Sequence, residues 1–172
     1  TYALGTLSLT GALKLAGNFG TSGNVTTTSF LFDAPTQNIT FTNSGNIGTL
    51  AANVAGLNYS QANNLVIGKV TNTFCSPGTT NGITSSGNVT IKTTGANSDI
   101  SLAANTPITF TGAAPGAISL NAQRNITLNA GSTIGSSGQP IDVTLNSNLQ
   151  GVAAGGGNIT LTSTTIASNN GN

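Results

Sequence analysis

The 172-residue chain has no glutamate, histidine, methionine or tryptophan, and only three aspartates and four basic residues carry a formal charge. Helix-rich folds are disfavoured, because glutamate, lysine, arginine and methionine are strong helix formers and are nearly missing. Catalysis is disfavoured as well, because acid–base chemistry needs titratable groups placed close together. We therefore expect a β-rich protein that is not an enzyme.

The scarcity of charge also limits the partners and cofactors. A net charge of +1 offers no cluster of lysine and arginine for nucleic acid. No run of eighteen apolar residues is present, so we expect no membrane insertion. Cys75 is the only cysteine, and without histidine it has no partner for a disulfide, for nucleophilic catalysis or for zinc. We expect no cofactor and no metal.

What the sequence has in quantity is a short repeat. Five-residue segments alternate between apolar and polar positions, usually with a β-branched residue first, which is typical of a half-buried strand. Glycine and asparagine precede many of the segments and suit tight corners. The clearest copies are Ile39–Asn43, Val89–Thr93, Ile100–Ala104, Ile108–Gly112, Ile118–Ala122, Ile126–Ala130, Val143–Ser147 and Ile159–Ser163.

The spacing of these segments favours one architecture. The distance from the first residue of one segment to the first residue of the next segment but one is about 18 residues, as from Ile100 to Ile118 and from Ile108 to Ile126. The period predicts an all-β parallel β-helix, a solenoid with about 18 residues per rung, whose inward apolar residues cover those of the next rung. An antiparallel sandwich is the alternative, but the Asn-Gly pairs typical of tight hairpins are scarce.

The repeats extend far enough to predict a single β-helical repeat domain over residues 1–172. Regular spacing fails near 72–82, where a turn-rich stretch containing Phe74 and Cys75 predicts a loop insertion. Asparagines that precede strands are expected to occupy equivalent corners of successive rungs, where stacked amides can form ladders. These asparagines are Asn24, Asn38, Asn88, Asn125 and Asn158.

Three segments, Gly87–Ile91, Arg124–Ala130 and Gly156–Ile166, resemble the repeats of filamentous-haemagglutinin-like proteins, which are large bacterial surface or secreted proteins. The resemblance covers most of the chain and is best over 83–166. It implies a right-handed parallel β-helix, an extracellular or cell-surface location, and a role as an adhesin, a stalk or a carrier of a terminal domain. It supplies no ligand residues.

The leading hypothesis is therefore a structural and adhesive segment of an extracellular bacterial fibre or adhesin shaft, with a surface glycan or receptor as partner. One alternative is a self-assembling extracellular filament subunit, whose partner is itself; another is an ice-binding or carbohydrate-binding β-helix. Phe30, Phe32, Phe41 and Phe110 are expected in the core. The candidate surface-binding residues are outward Thr-x-Thr pairs and two aromatic residues expected to be accessible: Thr26, Thr28, Thr40, Thr42, Thr109, Thr111, Thr160, Thr162, Tyr59 and Phe74.

Overall fold

The computed structural model of the chain describes residues 6–8, 12–15, 22–72, 78–149 and 157–171, the first two ranges by their backbone alone. This part of the chain is all-β and contains no helix. Its strands are β1 (Thr6–Ser8), β2 (Ala12–Leu15), β3 (Ser22–Asn43), β4 (Ile47–Gln61), β5 (Leu65–Ile67), β6 (Lys69–Asn72), β7 (Gly78–Asn81), β8 (Ile83–Ser85), β9 (Val89–Thr93), β10 (Ile100–Leu102), β11 (Pro107–Phe110), β12 (Gly116–Asn121), β13 (Ile126–Leu128), β14 (Thr133–Ser136), β15 (Ile141–Asn146), β16 (Ile159–Leu161) and β17 (Thr165–Ala167).

Most of these strands belong to one large parallel sheet that curls around the core. The strands stack side by side in three columns, and the long strand β4 bends so that successive parts of it belong to each column in turn. Strand β3 pairs with most of the length of β4. The first column continues through β5, β10, β13 and β16, the second through β8, β11, β14 and β17, and the third through β9, β12 and β15. The chain visits the columns in this order, and we call each passage through them a rung.

The alternation seen in the sequence places apolar side chains inside. In β9, Val89 and Ile91 are buried, whereas Thr90 and Lys92 are only half-buried and face outward. Partners in neighbouring strands are in register, so Val89 lies beside Ile118 and extends one continuous hydrophobic core from rung to rung. The core is thus built from in-register stacks of like residues, as expected for repeated strands.

Aromatic residues fill the core of the first two rungs. Phe30, Phe32 and Phe41 in these rungs, and Phe110 in the fourth, are each at most 1% exposed, which confirms their predicted core positions. The Phe30 and Phe32 rings lie edge to face with centroids 4.7 Å apart, and the Phe41 and Tyr59 rings stack at 6.4 Å. Contacts of this kind stabilise a core beyond the area that they bury.

The predicted rung length is wrong for most of the chain. A rung of 18 residues joins Ile39 to its partner Leu57 in the early rungs. Later, Ile100 pairs with Ile126, which is 26 residues further along, and Ile126 pairs with Ile159, which is 33 further. The 18-residue steps of the later sequence connect different columns, since each later rung passes through all three columns.

An antiparallel hairpin interrupts the third rung between its first and second columns. Strand β6 pairs with β7, and residues 73–77, which include Phe74 and Cys75, lie outside the described residues. The hairpin does not project freely into solvent, because Val70 packs against Leu31 and Ala51 on the outer side of the sheet. This small second cluster holds the insertion against the rungs.

Candidate functional site

The edge where each rung enters the first column carries a ladder of asparagine and aspartate side chains. Asn64, Asp99, Asn125 and Asn158 each immediately precede a strand of that column, and the strand registers place them side by side. The Asn64 side-chain oxygen accepts the Asp99 main-chain N–H over 2.8 Å. Asp99 likewise accepts the N–H of Asn125 over 2.9 Å, and Asn125 accepts that of Asn158 over 3.0 Å. Each rung therefore anchors the entry of the following one.

The expectation that five asparagines share one corner is wrong. Asn125 and Asn158 precede the first column, whereas Asn38 and Asn88 precede the third, and Asn24 lies within β3. At the second of these corners the Asn88 side-chain oxygen also accepts a main-chain N–H from the next rung, over 3.0 Å. The same five-residue pattern forms strands in both columns, so the sequence does not distinguish the two corners.

Asp99 is the charged member of the ladder, and an arginine one rung further on neutralises it. The Arg124 guanidinium donates from Nε to Asp99 Oδ1 over 2.9 Å and from Nη2 to Oδ2. The hydrogen bond from Arg124 is the main reason why the pKa of the Asp99 carboxyl is lowered. Lys92 is nearer to Asp99 along the chain, but the strand register brings Arg124 beside it instead.

A groove of about 590 Å³ runs along the outer side of the ladder from the second to the fourth rung. Its sides are the chain turns at 62–64 and 95–98, and its floor includes Gly48 and the outward-facing Val66 of the first column. No charged residue lines the groove. Its polar lining consists mainly of four asparagines: Asn46, Asn63, Asn64 and Asn97. The groove can therefore offer neutral hydrogen-bonding groups around a small apolar floor.

Tyr59 is fully buried, so the expectation that it can be reached by solvent is wrong. It occupies an inward position of the third column, in register between Phe41 and Ile91. Its hydroxyl donates to Gln61 Oε1 over 2.6 Å. Burial raises the pKa of this hydroxyl well above its ordinary value. Tyr59 is consequently a core residue and cannot serve as an aromatic binding platform.

The Thr-x-Thr pairs do not form a common surface. Thr40 and Thr42 project from the third column, Thr109 belongs to the second and Thr160 to the first. Within a column, threonine gives way to other residue types; Thr40, for example, lies beside Asn58. The regular array of hydroxyl groups that ice binding would require is therefore not assembled from these residues.

The other threonine candidates are also exposed but separate. Thr26 and Thr28 lie in β3, whereas Thr111 and Thr162 follow β11 and β16. Some of their hydroxyls bond to neighbouring rungs: Thr26 Oγ1 accepts a main-chain N–H over 3.4 Å, and Thr111 Oγ1 donates to the Ser85 carbonyl over 3.3 Å. These hydroxyls serve the packing of rungs.

Phe74, the last candidate, lies among the residues outside the described ranges. Within those ranges, no group of three or more histidine, cysteine, aspartate and glutamate side chains could hold a metal ion. Nor does that same part of the chain contain a helix of the length and apolar character needed to cross a bilayer. The ladder and its groove remain as the most organised polar features.

Comparison of the chain with models of protein families, with curated proteins and with solved structures finds no match. The geometry of the strands and of the groove must therefore carry the functional assignment.

Sequence reasoning missed the groove and the Asp99–Arg124 ion pair. Both depend on residues that are distant along the chain and adjacent only in the strand register. A usable signal was present, because Asn64, Asp99 and Asn125 each directly precede a three-residue strand with a buried apolar residue at both ends. Aligning the segments by the residue before each strand, and allowing three strands per rung, would have placed these side chains in one row.

Proposed function

We propose that the chain is a shaft segment of an extracellular bacterial fibre or adhesin, a mechanical element without catalytic function. In this proposal the curled parallel sheet closes into a right-handed parallel β-helix. The hand is supported by the strong preference for right-handed connections between parallel strands of one sheet. The extracellular setting is supported by the resemblance of the repeats around Arg124–Ala130 and Gly156–Ile166 to those of filamentous-haemagglutinin-like proteins.

The observation that carries the proposal is the in-register stacking of all three columns. Strands of the third column, for example, pair continuously from β4 through β9 and β12 to β15. The rungs therefore contribute main-chain hydrogen bonds and layers of core, and those from the third onward add the steps of the ladder. Load applied along the stack is shared among many such contacts in each rung, which is what a stiff spacer requires.

Single-molecule stretching along the stack tests this role. Thr26 and Thr160 are exposed and lie in early and late rungs, so cysteines introduced there, with Cys75 replaced by serine, give attachment points. We expect the chain to resist extension and then to unfold in steps of one rung. Later rungs of 25 to 33 residues release roughly 80–115 Å each. Smooth extension at low force, as for an unstructured linker, would contradict the proposal.

Exposed apolar residues in the last described rung favour a second candidate, end-to-end self-assembly. Ile159, Leu161 and Ile166 continue the inward stacks but are 44%, 50% and 39% exposed. We propose a second copy of the chain as the occupant of this surface. Among the described residues β16 and β17 have no further strand beside them, such edges accept further strands, and a net charge of +1 causes little repulsion. Such a contact joins unlike ends and leads to a filament.

Sedimentation velocity over a range of concentrations tests the second candidate. The wild-type chain should associate, whereas the triple variant I159T/L161T/I166T should stay monomeric. Val66→Thr is a matched control, because Val66 faces outward from the first column and lies far from β16 along the stack. A wild-type chain that remains monomeric at the highest concentration would exclude end-to-end assembly by these residues.

A further inference from the structure

The groove beside the ladder is lined by side-chain amide groups that do not use all of their hydrogen-bond donors and acceptors. Asn64 uses its side-chain oxygen to accept the Asp99 N–H, and Asn63 uses its Nδ2 to donate to the Gly45 carbonyl over 3.3 Å. The Asn64 Nδ2 and the Asn63 Oδ1 thus remain available, and so do the whole amide groups of Asn46 and Asn97, as judged within the described residues. Several neutral donors and acceptors therefore converge on one space.

The side of the groove formed by 95–98 is held rigidly by the rungs beneath it. The Gly95 N–H donates to the Ala62 carbonyl over 3.0 Å, and the Ser98 hydroxyl donates to the Gly95 carbonyl over 2.6 Å. From the core, Thr93 Oγ1 donates to the Ser98 carbonyl over 3.2 Å. A ligand would consequently meet a preformed surface and lose little free energy to ordering the protein.

The floor of the groove is small and partly apolar. Gly48 is packed closely against the preceding rung, since a Cβ at this position would lie 2.8 Å from the Thr28 carbonyl oxygen. Gly48 contributes no side chain to the floor, and half-buried Val66 adds an apolar surface beside it. A flat ring with a C–H face and hydroxyl groups at its rim fits such a floor bordered by amides.

We propose that this groove binds a short neutral oligosaccharide. Asparagine amides both donate to and accept from sugar hydroxyls, and the volume of about 590 Å³ falls in the usual range of small-ligand sites. Acidic glycans are not favoured, because no cation lines the groove and Arg124 is engaged by Asp99. The shallow shape predicts a weak site with a Kd of about 1 mM, and repetition along a fibre would raise its avidity.

Titration of the ¹⁵N-labelled chain with lactose, maltotriose and chitotriose, followed by amide chemical shifts, tests the proposal. We expect saturable shifts at Asn64, Val66 and Asn97 with at least one of the three sugars. Sialyllactose should bind no more tightly than lactose. Asn97→Ala should weaken binding about five-fold, the usual cost of one hydrogen bond.

Ala96→Trp should abolish saturable shifts, because the exposed Ala96 side chain lines the groove and an indole would fill it. Ala104→Trp is the matched control, since Ala104 is equally exposed on a turn that is not part of the groove. Absence of saturable shifts with all three sugars, shifts confined to another face, or equal loss in both tryptophan variants would overturn the proposal. The shaft role is tested separately by stretching, so the shaft proposal and the sugar-binding proposal can each fail without the other.

Discussion

The first two rungs, residues 27–61, and the later rungs, residues 83–146, build the same columns in different ways. In the early rungs, β3 and β4 run for 22 and 15 residues without a break between columns. In the later rungs, strands of three to six residues are separated by turns. The inward row of the third column nevertheless continues from Phe41 and Tyr59 to Ile91 and Leu120. The added residues lie at corners, so the inward side chains set the stack.

The two regions also differ in what fills the core. The early rungs rely on Phe30, Phe32, Phe41 and Tyr59, whereas the later ones rely on isoleucine, leucine and valine with Phe110 as their aromatic residue. Aromatic side chains lose more contacts on truncation than aliphatic ones. The early rungs should therefore be the more sensitive to loss of side-chain volume, and the later rungs the more tolerant of changes in length.

Insertions should produce the largest contrast. One glycine placed between Ala51 and Ala52, inside β4, shifts the alternation by one residue and turns inward side chains outward. We expect loss of cooperative folding, measured by circular dichroism during urea denaturation. Two glycines placed between Ala113 and Ala114, on an exposed turn of a later rung, should cost less than about 1 kcal/mol. Normal folding of the first variant would refute the comparison.

Truncation of matched residues in the third column should have the second-largest effect on stability. Phe41→Ala should lower the free energy of unfolding by about 3–5 kcal/mol, because it leaves a cavity and removes the stack on Tyr59. Leu120→Ala, at the same level of a later rung, should cost about 2–5 kcal/mol. Urea denaturation of the two variants side by side provides the measurement. A larger loss of unfolding free energy for Leu120→Ala than for Phe41→Ala would show that the later rungs, and not the early ones, are more sensitive to loss of side-chain volume.

The ladder joins the third rung to those that follow it, and its loss should have a smaller effect. Asn64→Ala leaves the Asp99 N–H without its acceptor and should cost about 1 kcal/mol in thermal or urea denaturation. Asn58→Ala is the control, because Asn58 is exposed on the third column and should change stability by less than about 0.5 kcal/mol. Equal effects of the two substitutions would show that the ladder bond contributes little.

Acid should affect the later rungs through Asp99, with the smallest effect of the four. The Asp99 pKa lies below 3.8 in the folded chain, so the unfolded chain binds a proton more readily there. The stability due to Asp99 is present above about pH 4 and is lost as the pH falls through the folded pKa. Asp99→Asn keeps an oxygen for the Asn125 N–H but does not titrate. Its denaturation midpoint should fall less than that of the wild type between about pH 5 and about pH 2.

Identical pH profiles for the two chains would contradict this role of Asp99. A modest difference is expected because the Asp99–Arg124 pair is partly exposed, and such pairs contribute little.

Strand alternation could be predicted from the sequence because each buried position is decided by its immediate neighbours. Core positions such as Phe32 and Phe110 follow from the phase of their own segment. The length of a rung could not be predicted in this way, since the weak strand at Thr133–Ser136 is recognisable only beside Pro107–Phe110. Tyr59 was misplaced because the alternation of Leu57, Asn58 and Tyr59 was not assigned to a strand, and only the register with Phe41 and Ile91 places its side chain inside.

The groove could not be predicted because it joins residues from three rungs. Asn46, Asn64 and Asn97 are ordinary turn residues when each is taken alone. Only the register that brings 62–64 against 95–98 turns them into one surface. The chemistry of the side chains was visible in the sequence, whereas their proximity was not.

The ladder described above has a direction. The acceptor always belongs to the earlier rung and the main-chain donor to the later one, as in the bond from the Asn158 N–H to Asn125. A folded rung therefore acts as a template, because its side-chain oxygen can accept a hydrogen bond from the main chain of the rung that folds next. Such a molecule can assemble progressively from its amino-terminal side, layer upon layer, without waiting for the whole polypeptide to arrive.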